Sequence, residues 1–262
     1  MKYLKILWRI FRMSTMQSLI YRADVVTGWI VNTIWLTGSV ALIYFYFSIG
    51  GLTQIAGFTA ADFYFVLLCA EIMWASAWAF VWTNSELFYR QIHNGELDSI
   101  LIKPINPEFG LMFQCIWVDD LLKMIVYSIG SVVLTIWFEI AVSWWQLGLI
   151  ALIVMMSCVL MCIFIWISSL LCFFWERFDV LWRFLMNMGD ASRMPRQIFP
   201  NWLQLVMFYV VPILVMINPV YAVLDNTFGW AQLGQLLLVM TLFSLIFLIL
   251  WRAGLRKYNS AA

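Results

Sequence analysis

Charge is what this chain has least of. Asp, Glu, Lys and Arg make up 11% of its 262 residues and apolar residues 65%, whereas an ordinary globular domain has about 25% charged and 45 to 50% apolar residues. Several runs of about 20 residues carry almost no charge, which excludes a soluble helical domain with an enlarged core and leaves an integral membrane protein. A net charge of +1, with the basic residues dispersed over many segments, excludes a nucleic-acid-binding patch. Histidine is nearly absent. His93 stands alone, which removes most hydrolytic dyads and metal sites; there is also no HExxH, and no serine, histidine and acid set that could meet without burying charge. The chain has no GxxxxGK phosphate loop either, so uphill movement of anything would need borrowed energy. No catalytic residue and no metal ligand is expected.

Cysteine is sparse: Cys69, Cys115, Cys158, Cys162 and Cys172 fall in or beside apolar stretches, and none forms a CxxC pair. They read as small apolar helix fillers. Cys158 and Cys162, a turn apart among Met155, Met156 and Met161, form the arrangement that would suit a soft ion such as Cu(I), and the filler reading is preferred. The first residues carry charges as far as Arg12 without a small-residue cleavage site, unlike a removable signal peptide.

The apolar runs define six spans: about 24 to 48, 61 to 82, 119 to 140 with an apolar lead-in from Phe109, 145 to 173, 202 to 223 interrupted by Pro212 and Pro219, and 232 to 251. Such a proline break is tolerated in a membrane helix where neighbours or water satisfy the freed backbone groups. Lys2, Lys5, Arg9 and Arg12 recur in steps of three and four opposite Leu4, Leu7, Trp8 and Phe11, which predicts an amphipathic helix over 2 to 20 lying in the membrane interface. The expected architecture is an all-α membrane protein in one domain over residues 1–262: six transmembrane helices, an interfacial helix within 1–22, and two cytoplasmic loops, 83–107 and 175–201, that carry coupling helices. Three connections, 49–60, 141–144 and 224–231, contain no Lys or Arg. By the positive-inside rule the other face, with both termini and the 83–107 platform, is cytoplasmic.

The platform is the longest polar interruption. Thr83 with Glu86 reads as a capping box that starts a short helix, and Gly95 as its stop. Lys103-Pro104 and Asn106-Pro107 then forbid further helix. His93, at the end of that helix, reads as a C-terminal dipole partner rather than a ligand. Residues 175–201 mix Glu176, Arg177, Asp179, Arg183, Asp190, Arg193 and Arg196 with apolar residues, which reads as a second surface helix on the same side. Glu71 sits near the middle of span two, where an ionised carboxylate costs at least about 2.5 kcal/mol. It needs either a place on a substrate path or an interhelical contact. Asp119 and Lys123 are spaced i,i+4 with the acid first and predict a local salt bridge beside Asp120.

Three stretches resemble one family. Gly95-Glu96-Leu97-Asp98 followed by Leu101 and Lys103-Pro104 is similar to the signature that follows span two in the six-span bacterial ABC-2 type exporter permeases. MPRQIFP, with Pro195 and Pro200, continues through Pro212 to Asn218-Pro219 and resembles that branch's proline-spaced entry to span five. The tail from Gly254 to Ala261 resembles its closing G-L-R-x-Y-x-S-A. The resemblance implies a bacterial inner-membrane half-transporter: two permeases, identical or sister subunits, with two cytoplasmic ATP-binding subunits that hold the ATP and Mg, no cofactor in this chain, and contact with membrane lipid. It implies a coupling helix over Thr83 to Asn94, with Glu86, Arg90, His93, Gly95, Asp98, Lys103 and Pro104 as the coupling residues, and a second contact over Phe178 to Asp190 through Arg183 and Asp190. Cargo of apolar, amphipathic or cationic character would move outward. The alternative is a secondary carrier or channel subunit not driven by ATP, although the paired broken helices and internal repeats usual in such carriers are not seen.

Overall fold

The computed structural model describes residues 2–175 and 192–258. All of its regular elements among these residues are helical. Helix α1 (Lys2–Ile20) turns at Tyr21 into α2 (Arg22–Tyr44), which ends in a wider π turn, Phe45–Ile49. Then come α3 (Ala60–Ala77), a second π turn (Trp78–Trp82), and α4 (Thr83–His93). The short α5 (Asp98–Leu101) and α6 (Pro107–Met112) precede the long α7 (Val118–Trp137) and α8 (Trp144–Leu170). After the undescribed segment follow α9 (Asn201–Tyr209), α10 (Ile213–Leu224) and α11 (Trp230–Lys257). Among the described residues, five helical stretches are long and apolar enough to cross a membrane, or six if the bent pair α9 and α10 counts as one.

The core lies where α3 and α8 meet α7, α10 and α11. Helix α3 is buried nearly all round, whereas α2, α7 and α11 turn outward faces rich in Val, Ile, Leu and Trp, such as Ile34, Ile129 and Leu238. A helix hydrophobic all round belongs inside a bundle, and apolar outward faces are what a bilayer requires.

Helix ends follow local chemistry. At the start of α3 the Asp62 amide donates to Thr59 Oγ1 at 3.5 Å and the Thr59 amide donates to Asp62 Oδ2 at 2.8 Å, a reciprocal cap. The capping box expected at Thr83 and Glu86 is not formed. The helix runs unbroken from Ala60 through the π turn to His93, so the amides of the first α4 turn already have carbonyl partners, and no cap is needed. Thr83 Oγ1 accepts a hydrogen bond from Trp117 Nε1 at 2.6 Å. Gly95 does end the helix, with φ +70. Its amide donates to Ile92 O at 3.3 Å and the Glu96 amide to Gln91 O at 2.8 Å, a Schellman ending that needs a left-handed residue at this point.

The expected fifth span, interrupted at its prolines, is a sharply bent helix pair. Helices α9 and α10 meet at 106°, around Pro212. At about 13 Å and about 18 Å long, neither reaches across a hydrocarbon core of about 30 Å alone. Near the start of α10, Met216 O accepts from Ser157 Oγ in the middle of α8 at 2.9 Å, and beyond its end Asn226 Oδ1 accepts from Gln146 Nε2 at the start of α8 at 2.8 Å. Helix α10 therefore lines only the half of the bundle away from the platform.

The expected 175–201 cytoplasmic loop is corrected at its far end. Phe174 lies under Lys257 at the platform end, 5.2 Å from ring centroid to Nζ. Ser192 and Arg193 are already at the middle of α3, against Trp74 and Glu71. Arg196 lies further on, beside Asn218, Asp225 and Gln232 at the end away from the platform. The buried carboxylate of Glu71 draws Arg193 inward, so Arg193 and Arg196 do not sit with the platform cations. The Phe178 to Asp190 helix, with Arg183 and Asp190, falls outside the described residues.

Candidate functional site

The platform is built on α4. Its exposed stripe consists of Glu86, Arg90 and His93, spaced four and three residues apart on one face. Arg90 and Glu86 form an ion pair at 3.6 Å whose side chains are 63% and 50% exposed, the kind that contributes little to stability. His93 lies in the last turn, its ring edge-on to Tyr89 at 4.3 Å. Asp98 begins α5, and Lys103 and Pro104 are exposed in the turn that follows. Helix α1 reaches this turn: Lys2 Nζ donates to Pro104 O at 2.8 Å, and Tyr3 packs edge-on against Phe109.

Opposite the stripe, α4 is anchored. Phe88 is completely buried between Trp166 of α8, Phe173 just after it and Trp251 of α11, with ring centroids 5.5 to 6.4 Å away. Asn84 is equally buried. Its Nδ2 donates to Phe80 O at 2.8 Å and Cys115 O at 2.9 Å, and its Oδ1 accepts from the amides of Gln114 at 3.1 Å and Cys115 at 3.0 Å. The strand of chain that leads into α7 is thereby zipped onto α4, and the Gln91 and Gln114 amides extend the seam. Nothing in the local pattern singled out Phe88 or Asn84. Their one signal is position: both fall on the face of α4 opposite Glu86 and Arg90.

Inside the bundle, Glu71 finds a partner. Arg193 Nη2 donates to Glu71 Oε1 at 2.6 Å, with the two side chains 15% and 6% exposed. The guanidinium also sits 5.5 Å from the ring centroid of Trp35 on α2. Trp74 Nε1 donates to Ser192 Oγ at 3.4 Å, and Tyr221 OH of α10 donates to Arg193 O at 2.9 Å. Glu71 thus ties α3 to the chain entering α9. The rule that a buried charge must be paired or pay for its desolvation called for such a partner, but sequence spacing could not say which of the basic residues it was.

On α7, Lys123 is buried with two acids. Its Nζ is 2.7 Å from Asp120 Oδ1 and 3.3 Å from Asp119 Oδ2, so the expected i,i+4 pair is present with Asp120 as the shorter contact. Tyr127, one turn further, meets Asn32 of α2 through its hydroxyl.

The three family-like stretches each have a structural task. Gly95 supplies the left-handed turn, and Leu97 behind it is fully buried. The Asn218 side chain accepts from the Arg196 amide at 3.0 Å and so pins the MPRQIFP stretch to α10. In the tail, a Cβ on Gly254 would collide with the Phe173 ring, and Tyr258 packs edge-on against that ring at 6.3 Å. Burial, and then the nearby Asp98 carboxylate, push the Tyr258 hydroxyl above its usual range, so the tail and the platform share one neighbourhood.

The sequence profile of the ABC-2 family transporter proteins matches residues 16–262. The chain belongs to that family. No curated protein and no solved structure matches it. Family membership and the apolar helices together make the chain a multi-pass membrane permease of an ABC transporter, a class that works with an ATP-binding partner.

Proposed function

We propose that this permease is the membrane half of an ATP-driven exporter in a bacterial inner membrane. Its termini and platform face the cytoplasm, and a separately encoded ATPase docks on the Glu86, Arg90 and His93 stripe. Two permeases, identical or sister subunits, pair with two ATPases, and the ATP and Mg reside on the partner. The carrying observation is the helix that runs without a break from Ala60 to His93, about 50 Å long, with one end in the exposed platform and the rest in the core. A push on α4 has two routes inward. Phe88 delivers it to α8 and α11, and the π turn delivers it along α3 to Glu71 and from there to the chain entering α9. Rigid elements with fixed contacts carry displacement where loops would absorb it.

The test is reconstitution with the neighbouring ATP-binding subunit in liposomes. Because the Arg90 and Glu86 pair is solvent-screened, Arg90→Glu should leave thermal stability within about 0.5 kcal/mol of wild type. It should still lower nucleotide-coupled hydrolysis several-fold. Undiminished coupling in Arg90→Glu combined with Glu86→Arg, or ion-dependent flux by the chain alone, would refute the docking assignment.

A further inference from the structure

Arg196 stands apart from the other cations. Among the described residues, every other Lys or Arg lies toward the platform, except Arg193, which is paired with Glu71. The outer connections carry no basic residue at all. A cation at this end runs against the usual distribution of charge in a membrane protein. Among the described residues no carboxylate lies within 4 Å of its guanidinium. Its backbone is nonetheless held, since the Arg196 amide donates to Asn218 Oδ1 and Asn218 Nδ2 in turn donates to Leu214 O at 2.6 Å.

Two hollows adjoin at Arg196. The larger, an open groove of about 330 Å³, is lined on its polar side by Arg196, Asn201, Gln204 and Gln235 and on its apolar side by residues that include Phe208 and Leu214. The smaller, about 60 Å³, shares Arg196, Phe208 and Gln235, and it is this one that Asp225 lines. Among the described residues the larger groove therefore has one cation, three side-chain amides and no carboxylate. Its volume is at the lower end of small-molecule sites, about 300 to 1,000 Å³. Along α9 and just past its end, Trp202, Leu205 and Val210 are all more than 60% exposed, and Leu205 also lines the groove, an apolar margin of the kind that faces acyl chains.

We propose that this groove binds the anionic head group, phosphate or carboxylate, of an amphiphile. The guanidinium, whose planar fork suits both anions, pairs with the head. The amides of Asn201, Gln204 and Gln235 donate to its remaining oxygens, and the apolar chain lies over Phe208 and Leu214. As a statement about cargo this rests on the permease reading, and it narrows the expected cargo to anionic amphiphiles. Arg193 is only three residues away, so the groove is joined through Glu71 to the helix that rises from the platform.

The test uses the full chain in a neutral detergent. Dodecyl phosphate is titrated against dodecyltrimethylammonium and inorganic phosphate by calorimetry, on wild type, Arg196→Gln and Gln235→Leu. Dodecyl phosphate should bind and both variants should weaken it, Arg196→Gln by about tenfold or more, the scale of a lost charge-assisted hydrogen bond. Equal affinity in wild type and Arg196→Gln, equal affinity for the cationic probe, or inorganic phosphate binding as tightly as its dodecyl ester would each overturn the proposal. Mass spectrometry of the chain released from native membranes separates the sources. An anionic lipid retained by wild type and lost from Arg196→Gln identifies a bilayer lipid as occupant. Binding of dodecyl phosphate without retained lipid identifies a free amphiphile. No ATPase is needed, so a failed titration removes the site while leaving the permease reading intact, and failed nucleotide coupling does the reverse.

Discussion

Replacing Glu71 by Gln keeps the shape of the side chain and removes the charge that faces Arg193. The pair is short, 2.6 Å, and nearly excluded from solvent. Removing one member of a buried pair typically costs about 3 to 5 kcal/mol, because the remaining charge keeps its desolvation penalty and loses its counter-ion. Scales for a charge at mid-membrane give a similar figure, about 2.5 to 3.5 kcal/mol. Two contacts soften the loss. The glutamine carbonyl still accepts a hydrogen bond, and the Trp35 ring beneath the guanidinium contributes about 0.5 to 2 kcal/mol. The net expectation is a destabilisation of about 2 to 3 kcal/mol, or about 5 to 10 °C in the unfolding midpoint for a chain of this size. Pairing Glu71→Gln with Arg193→Met should recover most of it, since an apolar replacement of a buried pair is often neutral or stabilising. Thermal unfolding in detergent, run as a double-mutant cycle, measures the coupling directly. If both single variants unfold within 2 °C of wild type and the cycle closes additively, the ion pair does not join α3 to the chain entering α9.

Two further outcomes follow from the platform. Phe88→Ala empties the space between Trp166, Phe173 and Trp251 and should cost about 3 to 5 kcal/mol; a shift in the thermal midpoint of under 3 °C would show that α4 is not anchored there. Asn84→Ala leaves the Gln114 and Cys115 amides without their acceptor and should cost about 1 to 3 kcal/mol. Its hydrogen-exchange signature should be faster exchange at those two amides while the middle of α3 keeps its protection.

The long apolar runs were legible because a bilayer imposes a length and a composition that few other environments do. Gly95 was legible for a similar reason, since a left-handed helix ending leaves little choice of residue. The supposed box at Thr83 and Glu86 shows where local patterns fail. A hydroxyl and an acid three residues apart suit a helix start and are equally at home inside a helix that continues, and the π turn before Thr83 leaves no mark in the sequence. The working cap, Thr59 with Asp62, carries an acid one methylene shorter than the usual Glu. The sharpness of the bend in the fifth span was illegible for a different reason. Hydropathy counts apolar residues but not their direction, and Trp202 to Val223 scores the same whether straight or bent by 106° at Pro212. The demand of Glu71 for a partner could be read in advance, but the partner lay 122 positions away in a stretch whose charges resembled those of a surface loop.

Arg193 and Arg196 show why charge counting misplaced that stretch. The positive-inside rule treats a basic residue as a cost that insertion avoids at the outer face, and the cost disappears when the charge is matched. For Arg193 the match is Glu71, so the pair enters the bundle nearly neutral. Arg196 has no such carboxylate among the described residues, but it is exposed, so its charge carries no comparable burial cost. The geometry ties the two together, because the backbone between them is held at Arg193 O by Tyr221 and at the Arg196 amide by Asn218, both from α10. A movement of α3 that pulls on Glu71 therefore acts on the segment that carries the Arg196 guanidinium. One buried ion pair and three residues of backbone thus lie between α3 and the groove beside Arg196.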